Sequence, residues 1–65
     1  MALKCKLKII MIEKGIRQYE LAELTGISRS NINLIANGKQ DPSLENAMII
    51  AEALGVSIYD IWERI

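Results

Sequence analysis

The side chains best suited to specific hydrogen bonding lie in one helical run near the middle of the chain. Arg29 and Asn33 are four residues apart, which places them on one face of a helix. A guanidinium can bridge O6 and N7 of guanine, and a carboxamide can bridge N6 and N7 of adenine. Ser30 adds a hydroxyl, and Leu34 offers an apolar group to a thymine methyl, although packing at the edge of the core equally explains Leu34. This face therefore has the chemistry to read base edges.

Six further polar residues around this run suit phosphate oxygens. Helix starts favour such anions because their backbone N–H groups are free and the helix dipole is positive there. Each residue taken singly is also explained as a solvated surface side chain, so the hypothesis rests on their convergence. The predicted backbone contacts are Arg17, Gln18, Ser28, Asn31, Asn37 and Lys39.

A pair of short helices must position these side chains. Two helical patterns are joined by Thr25-Gly26-Ile27, and Ser28 is a good N-cap for the second. Ala22 supplies a small residue at the crossing, Gly26 a left-handed turn residue, and Ile32 an apolar wedge. This arrangement predicts a helix-turn-helix, a unit that offers its second helix to a DNA major groove.

Helical periodicity extends over most of the chain, and we predict five helices and no strand in an all-α fold. Residues 1–65 form one predicted domain. The inner stripe of the fourth helix is predicted as Leu44, Ala47, Met48, Ala51 and Leu54. The predicted helices are 3–14, 18–25, 28–36, 44–54 and a short one that opens with a capping box at Ser57-Ile58-Tyr59-Asp60 and contains Ile61, Trp62 and Ile65.

Composition argues against several other classes of protein. The chain is 51% hydrophobic and 25% charged, which is typical of a folded domain. It has one cysteine, Cys5, and no histidine, so we expect neither an enzyme nor a cofactor or metal site. No segment is long and apolar enough for a membrane helix. The single cysteine favours a reducing, cytoplasmic setting.

The charges are unevenly distributed although the net charge is zero. Residues 1–40 hold seven basic and three acidic side chains, whereas residues 41–65 hold one basic and five acidic side chains. A molecule with such opposed halves can present one face to phosphate while it stays neutral overall.

The chain resembles the lambda-repressor-like helix-turn-helix family, of the Cro/cI or Xre type, over about residues 7 to 62. The resemblance implies a sequence-specific transcriptional regulator that binds a palindromic operator in double-stranded DNA as a homodimer. Members of the family act as repressors or activators, and we predict a repressor. The resemblance also implies a bacterial or phage-encoded, nucleoid-associated protein. It also implies that the third helix enters the major groove and that Gln18 touches the DNA backbone. The residues that carry it are Gln18, Leu21-Ala22, Gly26-Ile27-Ser28, Ile32, Ile35, Asn37-Gly38-Lys39, Pro42-Ser43-Leu44 and Ala53-Leu54-Gly55-Val56-Ser57.

The chain departs from the family pattern at three positions. Many members pair an arginine late in the first helix with a glutamate before the Asn-Gly turn, but here Met11 and Ala36 stand there. An apolar contact is expected to replace that ion pair. Arg17 stands where a serine or threonine cap is common, so a phosphate contact could be gained while the cap is lost.

A homodimer is expected to form through the region of the fourth and fifth helices. One such domain contacts too little DNA for tight specific binding, whereas two can bind half-sites about 34 Å apart. Aromatic and apolar residues near the end of the chain are the predicted interface: Tyr59, Trp62 and Ile65. Closure of the monomer's own core explains Trp62 equally well.

One alternative function is an antitoxin-type module that neutralises a partner protein and autoregulates its operon. No toxin-binding extension is evident in the sequence, which argues against it. No effector domain follows the helical unit either, so no small-molecule effector is expected.

Overall fold

Five helices and two short strands follow one another along residues 3–65, the part of the chain that this computed structural model describes. The predicted five-helix architecture is confirmed. Met1 and Ala2 of the predicted domain lie outside the described residues. The elements are β1 (Leu3–Cys5), α1 (Leu7–Lys14), α2 (Gln18–Thr25), α3 (Arg29–Ala36), α4 (Leu44–Leu54), α5 (Ile58–Ile61) and β2 (Trp62–Arg64).

Serine side chains start three of the helices, as their positions in the sequence predict. The Oγ of Ser43 accepts a hydrogen bond from the N–H of Asn46 at 3.1 Å. At α5 the capping box forms: the Oγ of Ser57 accepts from the N–H of Tyr59, and the carboxylate of Asp60 accepts from the N–H of Ser57 at 2.9 Å. Each cap satisfies backbone donors that have no partner inside the helix.

The two strands correct the prediction that the chain is helical at both ends. β1 and β2 pair antiparallel, with Leu3 opposite Arg64 and Cys5 opposite Trp62. Helix α1 therefore starts at Leu7 rather than Leu3, and α5 stops at Ile61. A strand of three residues is too short to show an alternating pattern in the sequence. Its hydrogen bonds also go to a partner far away in the sequence, so no local signal marks it.

The inner stripe of α4 also differs from the prediction. Leu44 and Met48 are 73% and 48% exposed, whereas Ile50 is fully buried. The inward positions are 47, 50, 51 and 54, and residues 47–51 are all apolar, so helical periodicity alone could not choose between two neighbouring stripes.

One hydrophobic core holds the helices together and fixes how α2 and α3 are presented. Met11 and Ala36, which stand at the family's ion-pair positions, are both buried in it. An apolar environment therefore takes the place of that ion pair, as expected. The core residues are Leu7, Ile10, Met11, Leu21, Ile27, Ile32, Ile35, Ala36, Ala47, Ile50, Ala51, Leu54, Ile61 and Trp62.

Candidate nucleic-acid interface

The turn between α2 and α3 sets the angle at which α3 leaves the body of the domain. Gly26 has a φ of 74° and its N–H donates to the carbonyl of Ala22 at 2.9 Å. The hydroxyl of Thr25 donates to the carbonyl of Leu21 at 2.7 Å and accepts from the N–H of Ile27 at 3.2 Å. The turn is therefore held by hydrogen bonds on both sides of the glycine.

Helix α3 has one buried side and one exposed side. Ile32 and Ile35 are buried, as predicted, and they anchor the helix on the core. The Oγ of Ser28 accepts from the N–H of Asn31 at 3.2 Å, so Ser28 is the N-cap and its hydroxyl proton stays free for an acceptor such as a phosphate oxygen. Both Ser28 and Asn31 are exposed.

A shallow, open depression lies between the start of α2 and the exposed side of α3. The structure brings together here all four residues predicted to contact bases, and it adds Gln18, which was predicted to contact the DNA backbone. The depression is lined by Gln18, Arg29, Ser30, Asn33 and Leu34.

A chain of side-chain hydrogen bonds runs along one edge of this depression. The ammonium of Lys8 donates to Oδ1 of Asn37 at 2.8 Å. Nδ2 of Asn37 donates to Oδ1 of Asn33 and to the Asn33 carbonyl, both at 2.9 Å. Nδ2 of Asn33 donates to Oε1 of Gln18 at 3.3 Å. The chain connects α1, α3 and α2 through exposed polar groups.

Gly38 closes the far end of α3. It has a φ of 71°, and the N–H of Lys39 donates to the carbonyl of Leu34 at 2.9 Å. This six-residue hydrogen bond is characteristic of a Schellman ending. The side chain of Lys39 is exposed immediately after the helix, next to the residues of the depression in sequence.

A family model described as helix-turn-helix matches residues 7–61. The chain belongs to the Cro/cI/Xre-type helix-turn-helix family. Proteins of this family bind DNA and regulate transcription, and membership assigns both properties to this chain. The resemblance inferred from the sequence is thus confirmed.

Three relatives illustrate how far the similarity extends. An uncharacterized HTH-type transcriptional regulator of Methanocaldococcus jannaschii is 43% identical over 60 residues, or 92% of this chain and 91% of that protein. The restriction-modification controller protein C.AhdI of Aeromonas hydrophila has a TM-score of 0.79 at 31% identity, over 85% of this chain and 83% of its own. The hypothetical transcription factor NHTF of Neisseria has a TM-score of 0.75 at 30% identity, over 83% of this chain and 62% of its own.

The cations at the helix-turn-helix of this family member are available to a ligand. Among residues 3–65 the only salt bridge joins Lys6 and Glu63, at 3.1 Å, and it lies beside the strands. Arg17, Arg29 and Lys39 are exposed. Their positive charges are therefore not neutralised by a carboxylate within the described residues.

Arg17 precedes α2 as the sequence predicts, without a side-chain cap. The carboxylate of Glu20 instead accepts from the N–H of Arg17 at 2.9 Å, which satisfies one backbone donor at the helix start. The side chain of Arg17 is exposed and forms no salt bridge within residues 3–65. The expected loss of a side-chain cap is therefore observed, whereas the expected phosphate contact of Arg17 stays a prediction.

The pKa values of two side chains on the strands, Cys5 and Glu63, depart from their ordinary values. Burial raises the pKa of the Cys5 thiol, which lies partly packed against the core. The hydrogen bond and charge of Lys6 lower the pKa of the Glu63 carboxyl. Residues 3–65 contain no cluster of three or more metal-binding side chains, and no helix among them could span a membrane.

Sequence reasoning missed two contributors to the interface. Lys8 was not among the residues that the sequence assigned to the interface, yet its ammonium ends the hydrogen-bond chain that reaches Asn33. The hydroxyl of Thr25 was not assigned a role, although it bonds on both sides of the turn. A threonine directly before the turn glycine is a local signal that could have indicated its role, whereas nothing local links Lys8 to Asn37.

Proposed function

We propose that this chain is a sequence-specific repressor that binds a palindromic operator as a homodimer, with α3 in the major groove of double-stranded DNA. The observation that carries the proposal is the depression in which Arg29, Ser30, Asn33 and Leu34 converge beside Gln18. Its side chains offer paired donors and acceptors and one apolar group, which is the set that base edges require.

Within this proposal Arg29 bridges O6 and N7 of a guanine, and Asn33 bridges N6 and N7 of an adenine. Ser30 and Leu34 complete the base contacts. Phosphate contacts orient α3 and carry no sequence information themselves. The proposed phosphate contacts are Arg17, Gln18, Ser28, Asn31 and Lys39. Asn37, which the sequence also suggested, donates both Nδ2 hydrogens to Asn33, so we leave it out of this set.

Repression follows from occupancy in this proposal. A bound homodimer excludes other proteins from the operator, and its own concentration controls that occupancy without a small-molecule effector. The two copies bind half-sites about 34 Å apart. We place the protein in the cytoplasm, on DNA, and assign it no catalytic activity. The relatives described above are named as regulators and a controller protein, which gives the antitoxin alternative no support.

Selection from random duplexes tests the proposal. We expect a palindromic consensus with a one-turn period. Arg29→Ala should lose preference for one guanine, and Asn33→Ala should lose preference for one adenine, each by about 1–3 kcal/mol of discrimination. Binding curves on single-base variants of the consensus measure this.

Lys4→Ala is the matched control, because Lys4 is an exposed cation on β1, outside the depression. It should leave the discrimination between bases as in the wild type. Equal affinity of the wild-type protein for every duplex would falsify the proposed function.

A further inference from the structure

The side-chain amide of an asparagine at this interface can point in either of two directions. Its oxygen and nitrogen ends have nearly the same shape, so hydrogen-bond partners decide which end points where. Adenine distinguishes the two ends, because N6 donates and N7 accepts. The group that fixes the amide of Asn33 therefore affects which base edge this side chain matches.

Asn37 cannot reverse its own amide without losing two hydrogen bonds. Its Oδ1 lies 2.8 Å from the ammonium of Lys8, which can only donate. Its Nδ2 lies 2.9 Å from the main-chain carbonyl of Asn33, which can only accept. A pure donor and a pure acceptor thus hold opposite ends of this amide.

The orientation passes from Asn37 to Asn33. Nδ2 of Asn37 also donates to Oδ1 of Asn33 at 2.9 Å, so the oxygen of Asn33 faces Asn37 and its nitrogen faces Oε1 of Gln18. Oδ1 of Asn33 keeps a second lone pair and Nδ2 keeps a second hydrogen. These are the two groups that N6 and N7 of adenine need.

We propose that Lys8 and Asn37 are positioning residues that fix the amide of Asn33 and thereby raise its preference for adenine. The inference rests on the proposed function, since it requires Asn33 to contact a base. Recognition of the DNA sequence by the helix-turn-helix then depends on α1, a helix outside that motif. An amide that is already oriented loses less conformational entropy on binding, and the charge of Lys8 strengthens the hydrogen bonds that orient it.

The test compares two duplexes that differ at one atom. One carries the adenine assigned to Asn33, and the other carries 7-deazaadenine there, which replaces the N7 acceptor by C–H. The wild-type protein should prefer adenine by about tenfold. Lys8→Met and Asn37→Ala should each reduce this preference by about threefold or more. Lys8→Met removes one of the two groups that fix the amide of Asn37, and Asn37→Ala removes the donor to Oδ1 of Asn33.

Two further variants, one at Lys8 and one at Lys4, separate the positioning role of Lys8 from a general effect of positive charge. Lys8→Arg keeps a donor-only cation and should restore the preference. Lys4→Met removes an exposed cation of β1 and should leave the preference at the wild-type value. Because Lys8 is exposed, we expect Lys8→Met to keep the fold, and thermal unfolding checks this. If Asn37→Ala weakens the end of α3, the test still stands on Lys8→Met.

A phosphate contact by Lys8 predicts a different result and would overturn the inference. Lys8→Met would then weaken binding to both duplexes equally, keep the preference for adenine, and lower the slope of log affinity against log salt by about 0.9. An unchanged preference in Asn33→Ala would overturn it as well. A wild-type protein that discriminates between no duplexes contradicts the proposed function itself, so the two failures are distinguishable.

Discussion

Leu34 is an apolar side chain among polar neighbours at the proposed interface. It is 38% exposed, and this exposed part lines the depression with Arg29 and Asn33. Most of its surface is therefore covered by the protein, while one side is open to a ligand. Both sequence interpretations of Leu34, a thymine contact and a residue at the edge of the core, are compatible with this position.

Replacement of thymine by uracil in the operator tests Leu34. Uracil lacks only the C5 methyl group, so the wild-type protein should bind the uracil duplex about fourfold more weakly if Leu34 covers that methyl, since burial of one such group contributes about 0.8 kcal/mol. Leu34→Ala should bind the two duplexes equally. Competition binding at constant salt measures the ratio.

The control for this experiment is Leu24→Ala, which shortens an exposed leucine of α2 that does not line the depression. It should keep the full effect of uracil. A Leu34→Ala protein that still distinguishes the two duplexes would remove Leu34 from the base contacts.

Residue types and helical spacing together were enough to predict which side chains line the depression. Arg29, Ser30, Asn33 and Leu34 were grouped because helical spacing gives them a common side opposite Ile32 and Ile35, and the structure places them in one depression. Their contacts with bases remain predictions. Lys8 could not be predicted, because its link to Asn37 joins residues 29 positions apart and depends on how α1 packs against α3.

At the scale of elements, the turn of the helix-turn-helix depends on the backbone of Gly26. Its φ of 74° lies in the left-handed region, and a Cβ added there would meet no atom within 4 Å. Space is therefore not the constraint at this position. A side chain at this position lowers stability through backbone strain alone. Glycine adopts a positive φ without strain and asparagine with little, whereas other residues are strained there.

We expect Gly26→Ala to lower the free energy of unfolding by about 1–2 kcal/mol. Gly26→Asn should lower it less, because asparagine tolerates the left-handed region. Urea unfolding followed by circular dichroism measures both. An alanine variant as stable as the wild type would mean that the turn relaxes to a negative φ, and a larger loss with asparagine than with alanine would contradict the argument from strain.

Local signals predicted the starts of α3, α4 and α5 and failed at the strands. Ser28, Ser43 and Ser57 mark helix starts through short-range hydrogen bonds that the sequence displays directly. β1 and β2 are each three residues long and exist because they pair with each other. A pairing of residues at opposite ends of the chain has no local signature, so the helical pattern was extended into both segments.

At the scale of the whole molecule, an apolar groove between α4 and α5 is the face that we assign to dimerisation. It is lined in part by Leu44, Ile58, Tyr59 and Trp62. Trp62 is only 6% exposed, so it closes the monomer's core and leaves a small part of its surface to the groove. Tyr59 is 87% exposed and Ile65 is 86% exposed, which makes them the accessible members of the predicted interface.

Tyr59→Glu should convert the proposed dimer into a monomer with little change in the stability of the monomer. The tyrosine side chain contributes little to the monomer's core because it is exposed, whereas a buried carboxylate at an interface is costly. Sedimentation equilibrium over a range of concentrations measures the mass. Operator affinity should fall in parallel, since a monomer contacts one half-site.

The matched control is Leu24→Glu, which adds the same charge at a 62% exposed apolar residue of α2. It should sediment as the wild type does. A wild-type protein that is monomeric both in solution and on a palindromic duplex would exclude the dimer, and a dimer that survives Tyr59→Glu would move the interface elsewhere.

The pairing of Leu3–Cys5 with Trp62–Arg64 bears on how the protein is made. A ribosome produces the second of these strands after every helix, so the first strand waits without its partner throughout elongation. All the residues of the helix-turn-helix leave the ribosome before these two strands can pair. The domain consequently completes its tertiary structure only after Trp62–Arg64 have been synthesised, when the two strands on either side of the five helices meet.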